Sequence, residues 1–302
     1  MAAAAREAFR EMAREIPGSS RARALLRLNF SRDPASGNTF LADSFQEAPL
    51  KVVRAFTLEE GTALAHLHNV SGGLLGGDQL AMQFNLARGA KVQLTTTGAT
   101  RIYRNRGGFS TTTQCSEVSV GEGALLEYLP DATIPFAGAR YAQQTSIELA
   151  ADAGLFWWEI VAPGRQARGE LFDYEEFAMR THVSALGRRI AAENLCLRPK
   201  REKVSSLARL GPYHYAATFY ICRVGLEAGA WRDAENQIRE LTTGMTRRDE
   251  ILWGVSSLVA HGLVVRCLAR NGLEVLPGLQ AIWRNAKRRL YDREAIPPRK
   301  VN

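Results

Sequence analysis

Cysteine is scarce in this chain of 302 residues: four stand at positions 115, 196, 222 and 267, with no C-x-x-C pair among them. That spacing builds neither a zinc finger nor a disulfide-dense secreted domain, and it suits a reducing cytoplasm. No apolar run reaches the roughly 18 residues that a membrane-spanning helix needs. Even ILWGVSSLVAHGLVVRCLA is broken by Gly, Ser and His, so a soluble protein with no membrane partner is expected. A secretory leader is missing too: the opening MAAAAREAFREMAREI carries Glu7, Glu11 and Glu15 among its arginines and has no apolar centre. Residues 1–20 read instead as an exposed N-terminal helix or tail. Acidic residues are the smaller party, 31 against 39 Lys and Arg, a formal charge of +8. The basic residues are scattered apart from RNAKRRLYDREAIPPRK, which predicts a solvated face and no nucleic-acid partner.

The common catalytic signatures are missing as well. A P-loop needs G-x-x-x-x-G-K-[ST] between a strand and a helix. The glycine stretch here, HNVSGGLLGGDQLAMQFNLARGAKVQLTTTGATRIYR (68–104), has neither the lysine nor the hydroxyl, and a strand follows it. A dinucleotide fingerprint fails on the same missing helix. No serine stands in G-x-S-x-G and no Cys/His pair is signalled. What Gly72, Gly73, Gly76 and Gly77 offer is backbone freedom, positive φ or close approach of another segment. Asp78 then reads as the cap of a tight turn.

What is present is β-patterning. In DQLAMQFNL, Leu80, Met82, Phe84 and Leu86 alternate with Gln79, Ala81, Gln83 and Asn85, the period of a strand. The ARGA turn and KVQLTTT then read as the return strand of a hairpin. VSVGEGALLEYL and IELAADAGLFWWEI repeat the sentence, with Gly89, Gly123 and Gly154 at equivalent points 34 and 31 residues apart. Such repetition predicts stacked layers that bury one another's faces, here as an extended antiparallel β-structure. Helices are expected over 232–241, after Trp231, and over Leu273–Tyr291. In the second, Leu276, Leu279, Ile282, Trp283, Ala286 and Leu290 share a core-facing side while Arg284, Lys287 and Arg288 lie mostly outside. Pro297 and Pro298 end regular structure. No composition break divides residues 21–302, which are expected to form one β-rich domain.

Chemistry-bearing residues are thin. His66 and His68 share one face of a strand and could approach a metal with Asp78, but a half-buried strand with histidines on its wetter side accounts for them better. LEYLPDATIPF gathers Glu127, Tyr128 and Asp131 around Pro130, and PGRQARGELFDYEEF gathers Arg165, Arg168, Glu170 and Asp173. Arginine beside carboxylate usually makes a structural ion pair. Trp157, Trp158 and Trp231 fit either a buried core or an exposed anchor. A basic nucleic-acid-binding β-protein and a metal hydrolase built on His66, His68 and Asp78 remain the rival readings.

SGGLLGGDQL, TTTGATRIYR, LEYLPDATIPF and GRQARGE stand in an order and spacing that resemble the urease accessory protein family UreD, also called UreH, over roughly residues 22–292. The resemblance implies a mainly β fold in stacked and crossed layers, with a small helical part near the C-terminus. It implies no enzyme and no tightly bound cofactor, but a cytoplasmic chaperone-like scaffold for urease maturation. Such a scaffold binds apo-urease and UreF, reaches the GTPase UreG through UreF, and offers transient Ni2+ a passage for nickel insertion. On the matching motifs, Asp78 and Glu170 would line or shape that passage, with Glu127, Asp131 and His68 as further members. Gly72, Gly73, Gly76, Gly77, Arg101, Tyr103, Pro130, Arg168 and Gly169 would be structural.

Overall fold

The computed structural model describes residues 22–105 and 111–298; the helix or tail expected over 1–20 lies outside them. The chain opens with β1 (Arg23–Arg32), β2 (Thr39–Gln46), β3 (Leu50–Lys51), β4 (Ala55–Thr57) and β5 (Ala63–Asn69). The glycine loop leads into β6 (Gln79–Leu86), β7 (Lys91–Thr96) and β8 (Thr100–Ile102). Next come β9 (Thr112–Val120), β10 (Leu125–Tyr128), β11 (Thr133–Pro135), β12 (Arg140–Leu149) and β13 (Gly154–Val161). The last third holds β14 (Glu176–Ala185), β15 (Arg188–Leu197), β16 (Tyr215–Arg223), helix α1 (Ala228–Met245), β17 (Ile251–Ser257), β18 (Gly262–Ala269) and helix α2 (Val275–Tyr291). Mainly β, with helices near the C-terminus, is the fold class expected. No described helix is long and apolar enough to cross a membrane.

Two sheets face each other. One runs β15-β14-β12-β9-β6-β1-β2 and the other β17-β18-β16-β13-β10-β7-β5-β3, with β4, β8 and β11 attached to the second. The expected antiparallel layering holds only at the ends. Through the middle, β1, β6, β9, β12 and β14 are mutually parallel, and so are β5, β7, β10 and β13. The expected hairpin is the reason for the error. β6 and β7 do not pair: the turn between them carries the chain from one sheet to the other, and each strand finds its partner in the next coil, Gln79 opposite Thr113 and Lys91 opposite Leu125. A short polar turn with glycine serves an arch between layers as readily as a hairpin within one. The repeat is real, with one correction. Gly89 (φ +68) and Gly123 (φ +62) are equivalent, but Leu125 pairs with Gly154, so the third equivalent point is Asp152 (φ +55).

Apolar residues of the two sheets fill the space between them: Leu26, Phe84, Val118, Ile147, Trp157 and Phe177 are among the fully dry ones. The outer face of the second sheet is covered by α1 and α2, where Trp158, Phe219, Ile238, Leu279, Ile282 and Trp283 form a second core. Helix α1 begins earlier than expected and takes Trp231 into its first turn, buried. All three tryptophans left open by the sequence are therefore core residues. In α2 the expected stripe is buried, with Leu276 partly so. Lys287 breaks the expectation, because it is buried at 5% exposure rather than outside.

Candidate functional site

The motifs that carried the resemblance converge in space. The glycine loop lies against residues 101–105: Leu74 donates its N–H to the Arg101 carbonyl and accepts one from Tyr103, both at 2.8 Å. A Cβ on Gly73 would stand 2.5 Å from Tyr103 Cε2 and 2.7 Å from the Arg101 carbonyl oxygen, so only glycine permits this approach. Gly73→Ala is expected to cost about 1–3 kcal/mol, because the backbone oxygen has nowhere to go; urea titration against the parent checks it. Asp78 is buried and acts as the cap, its Oδ1 accepting the Ala22 N–H at 3.1 Å and Oδ2 the Leu75 N–H at 2.8 Å.

Tyr103 packs edge-on against Phe136, with ring centres 5.0 Å apart. Arg165 lies over the other partner of that ring system at 4.2 Å from the Phe136 centroid and grips Glu170 with both ends of its fork, Nε to Oε2 at 2.8 Å and Nη2 to Oε1. The arginine's hydrogen bond holds the Glu170 carboxyl below its usual range. Arg168 closes a 3-10 turn (Gln166–Arg168) that Gly169 ends at φ +78. Asp131 meets the threonine run, its N–H donating to Thr96 Oγ1 at 2.9 Å, and the Pro130 carbonyl accepts the Trp158 indole at 2.8 Å.

Beside this cluster His68 and Thr97 border two adjoining hollows. One, about 250 Å³, is lined by Gly73, Thr96, Arg101, Gln114 and Tyr128. The other, about 750 Å³, is lined by Phe56, Leu64, His66, Ile296 and Pro297. His66 and His68 sit half-buried on β5, the arrangement favoured from sequence, and burial followed by the nearby His66 pushes the His68 imidazole down. Among the described residues no three His, Cys, Asp or Glu side chains are placed to hold a metal ion, so His66, His68 and Asp78 do not make a hydrolase centre.

Glu127 lies elsewhere. It alternates along β10 with Leu126 and Tyr128, which face between the sheets, so it points to the helices. There it accepts Lys287 Nζ at 2.6 Å and the Trp283 indole at 2.9 Å. Gln93 Nε2 approaches at 3.5 Å while also reaching the Ile296 carbonyl at 3.0 Å.

The polar residues that do lie between the sheets were missed from sequence. Gln114 pairs with Gln143, and Ser116, Thr145 and Thr181 follow one another across β9, β12 and β14. Gln143 Nε2 donates to Glu159 Oε1 at 2.6 Å and to Thr145 Oγ1 at 3.2 Å; Thr181 Oγ1 donates to Glu159 Oε2 at 3.0 Å. The Trp157 indole, near enough to favour the ionised acid, is buried with no hydrogen-bond partner. Burial prevails and pushes the Glu159 carboxyl up to about 7. Past Thr181 the seam opens into a cavity of about 280 Å³ bordered by Glu159, Glu193, Thr218, Tyr220 and Arg266. A polar seam thus runs from the hollow at Gln114 to this cavity through an otherwise apolar interior. The one legible signal was a carboxylate inside the apolar run LFWWEIV, since such a strand is dry on both faces.

Comparison with known proteins agrees with the motif cluster. The family described as UreD urease accessory protein matches residues 22–302. A urease accessory protein UreD of Herpetosiphon aurantiacus is 47% identical over 253 residues, 84% of this chain and 88% of that one. UreD of Lysinibacillus sphaericus is 33% identical over 217 residues, 71% and 80% of the two chains. UreD 2 of Brucella abortus is 29% identical over 287 residues, 92% of each. A family match across nearly the whole described chain, on motifs that meet at one place in the fold, means that the protein belongs to the UreD family of urease accessory proteins.

Proposed function

We propose that the chain is a non-catalytic cytoplasmic scaffold of urease maturation. It binds apo-urease and UreF, reaches the GTPase UreG through UreF, and lets nickel in transit pass along the seam between its sheets. The observation that carries this reading is the seam itself. A fold that only needed stability would fill the interlayer with apolar side chains, because buried polar groups cost free energy unless every one is satisfied. Here Gln114, Gln143, Ser116, Thr145, Thr181 and Glu159 make a line of oxygen and amide groups. Oxygen ligands of this kind release a divalent ion more easily than thiolates do, which suits cargo rather than a resident cofactor. All four cysteines are free, in keeping with a reducing compartment.

In this reading Asp78, Glu170, Asp131 and His68 shape the walls near the hollow at Gln114. Asp78 and Glu170 act through the backbone and arginine they already hold, and Glu127 serves the helix side. The test is urease activity in cells that express urease, the remaining accessory proteins and nickel, with and without this chain, joined to a pull-down of apo-urease. Activity and complex should both require the chain. Glu159→Gln should keep the complex yet lower activation by about tenfold, the lower end of the loss that removing a supporting group brings to a metal-handling site. Full activation by that variant would sink the passage while sparing the scaffold; full activation without the chain would sink both.

A further inference from the structure

The cavity behind Glu193 is lined by side chains of both sheets, with Arg209 and Leu210 of the segment after β15 at its edge. It lies between the sheets where β15 pairs only with β14, and β18 only with β16 and β17, so no backbone ladder crosses the gap. Arg266 spans it, with Nη2 2.9 Å from Glu193 Oε2 and Nε 3.3 Å from Oε1. Thr218 Oγ1 and Tyr220 Oη donate to the same carboxylate at 3.2 Å each. Glu193 is therefore fixed from β16, and its side chain is only 26% exposed, whereas that of Arg266 is 54% exposed. A pair this open to water holds weakly, and arginine's long stem lets the head swing outward without moving the strand. Arg209, at the same rim, is tied to Glu202 and to the Cys196 carbonyl at 3.2 Å and forms a fixed post.

Position decides what the arginine does. Swung in, it cancels the pull of Glu193 on a cation and puts its own guanidinium at the mouth, the first group an entering cation meets. Swung out, it leaves the Glu193 carboxylate at the rim with only the uncharged hydroxyls of Thr218 and Tyr220 as partners, and Glu159 beyond it bonded to the uncharged Gln143 and Thr181. We infer that Arg266 is a gate: against Glu193 it closes the interlayer cavity to cations, and turned away it opens a carboxylate-lined mouth to them. What enters rests on the proposed passage for nickel; the gate itself does not.

The full chain carrying Met179→Cys, a position that lines the cavity, provides the reporter. It is treated with a cationic and a neutral methanethiosulfonate of similar size, and modification at position 179 is followed by mass spectrometry. Adding Arg266→Ala should raise the cationic rate about tenfold, through loss of the pair and of the repulsion, and the neutral rate less. Adding Glu193→Gln, which frees the arginine but keeps its charge, should favour the neutral reagent. Unchanged rates with Arg266→Ala overturn the gate, and so does equal acceleration of both reagents. Fully buried Cys222 is the internal control for general loosening. If it reacts as fast as position 179, Arg266→Gln must meet the same expectation or the gate falls. Labelling reads the chain alone and urease activation reads the passage, so either can fail without the other.

Discussion

Lys287→Met should lower the unfolding free energy by about 3–5 kcal/mol, the loss that follows when one partner of a buried ion pair is removed. The lysine head is 7% exposed and the Glu127 side chain 1%. Removing the cation leaves a carboxylate among Trp283, Phe156 and Leu125 with only the indole and the Gln93 amide to face. Desolvation of that charge is then no longer offset. Pairing the change with Glu127→Gln removes the charge while keeping an oxygen for the indole, and most of the loss should return. Urea titration of the parent, the single and the double variant measures both steps. A single variant within about 1 kcal/mol of the parent, the range of an exposed pair, would mean that water reaches Lys287 in solution.

Glu159 supplies the second large effect, and it depends on pH. Burial raises its carboxyl from the usual 4.5 to about 7, so the folded state holds a proton that the unfolded chain gives up sooner. The contribution of the protonated acid is fully present below about pH 4.5. It is lost as the pH rises, at about 1.4 kcal/mol per unit, until the folded carboxyl ionises near 7, a total of roughly 3 kcal/mol. Glu159→Gln carries no such proton. Its stability should match the parent at pH 4 and exceed it increasingly toward pH 8, with the slope between the two values flattened. Parallel curves for parent and variant from pH 4 to 8 would show that Glu159 titrates as an ordinary surface acid.

These two residues mark where sequence reading stops. Lys287 sits one position from Ala286 in a strongly amphipathic helix, and helical period alone puts a lysine there on the wet edge of the stripe. Only the carboxylate of β10, delivered across the core by a different part of the chain, turns that edge inward. Glu159 is a lone acid inside an apolar strand, with no charged neighbour along the chain to mark it, whereas Arg165 and Glu170 share one charged segment. The structure ties Glu170 to its arginine and Asp78 to two backbone N–H groups, the bland roles weighed from sequence. Of the two uses that glycine offers, Gly73 and Gly76 stand against Arg101 and Asn105, while Gly72 and Gly77 take positive φ.

Local grammar is legible in the string of residues: Leu80, Met82, Phe84 and Leu86 on the dry face of a strand, the stripe of α2, the turns at Gly89 and Gly123, and the motif order of the family. Those follow from one residue's preference and its near neighbours, which a linear string contains. Strand partners, the parallel middle of both sheets and the polar seam from Gln114 to Glu159 and Glu193 arise only in the folded chain. Alternation tells a strand which side is dry and nothing about who lies beside it. Partner choice is settled only when successive coils stack, and the interior neighbours of Lys287, Glu159 and Arg266 exist only in that stack.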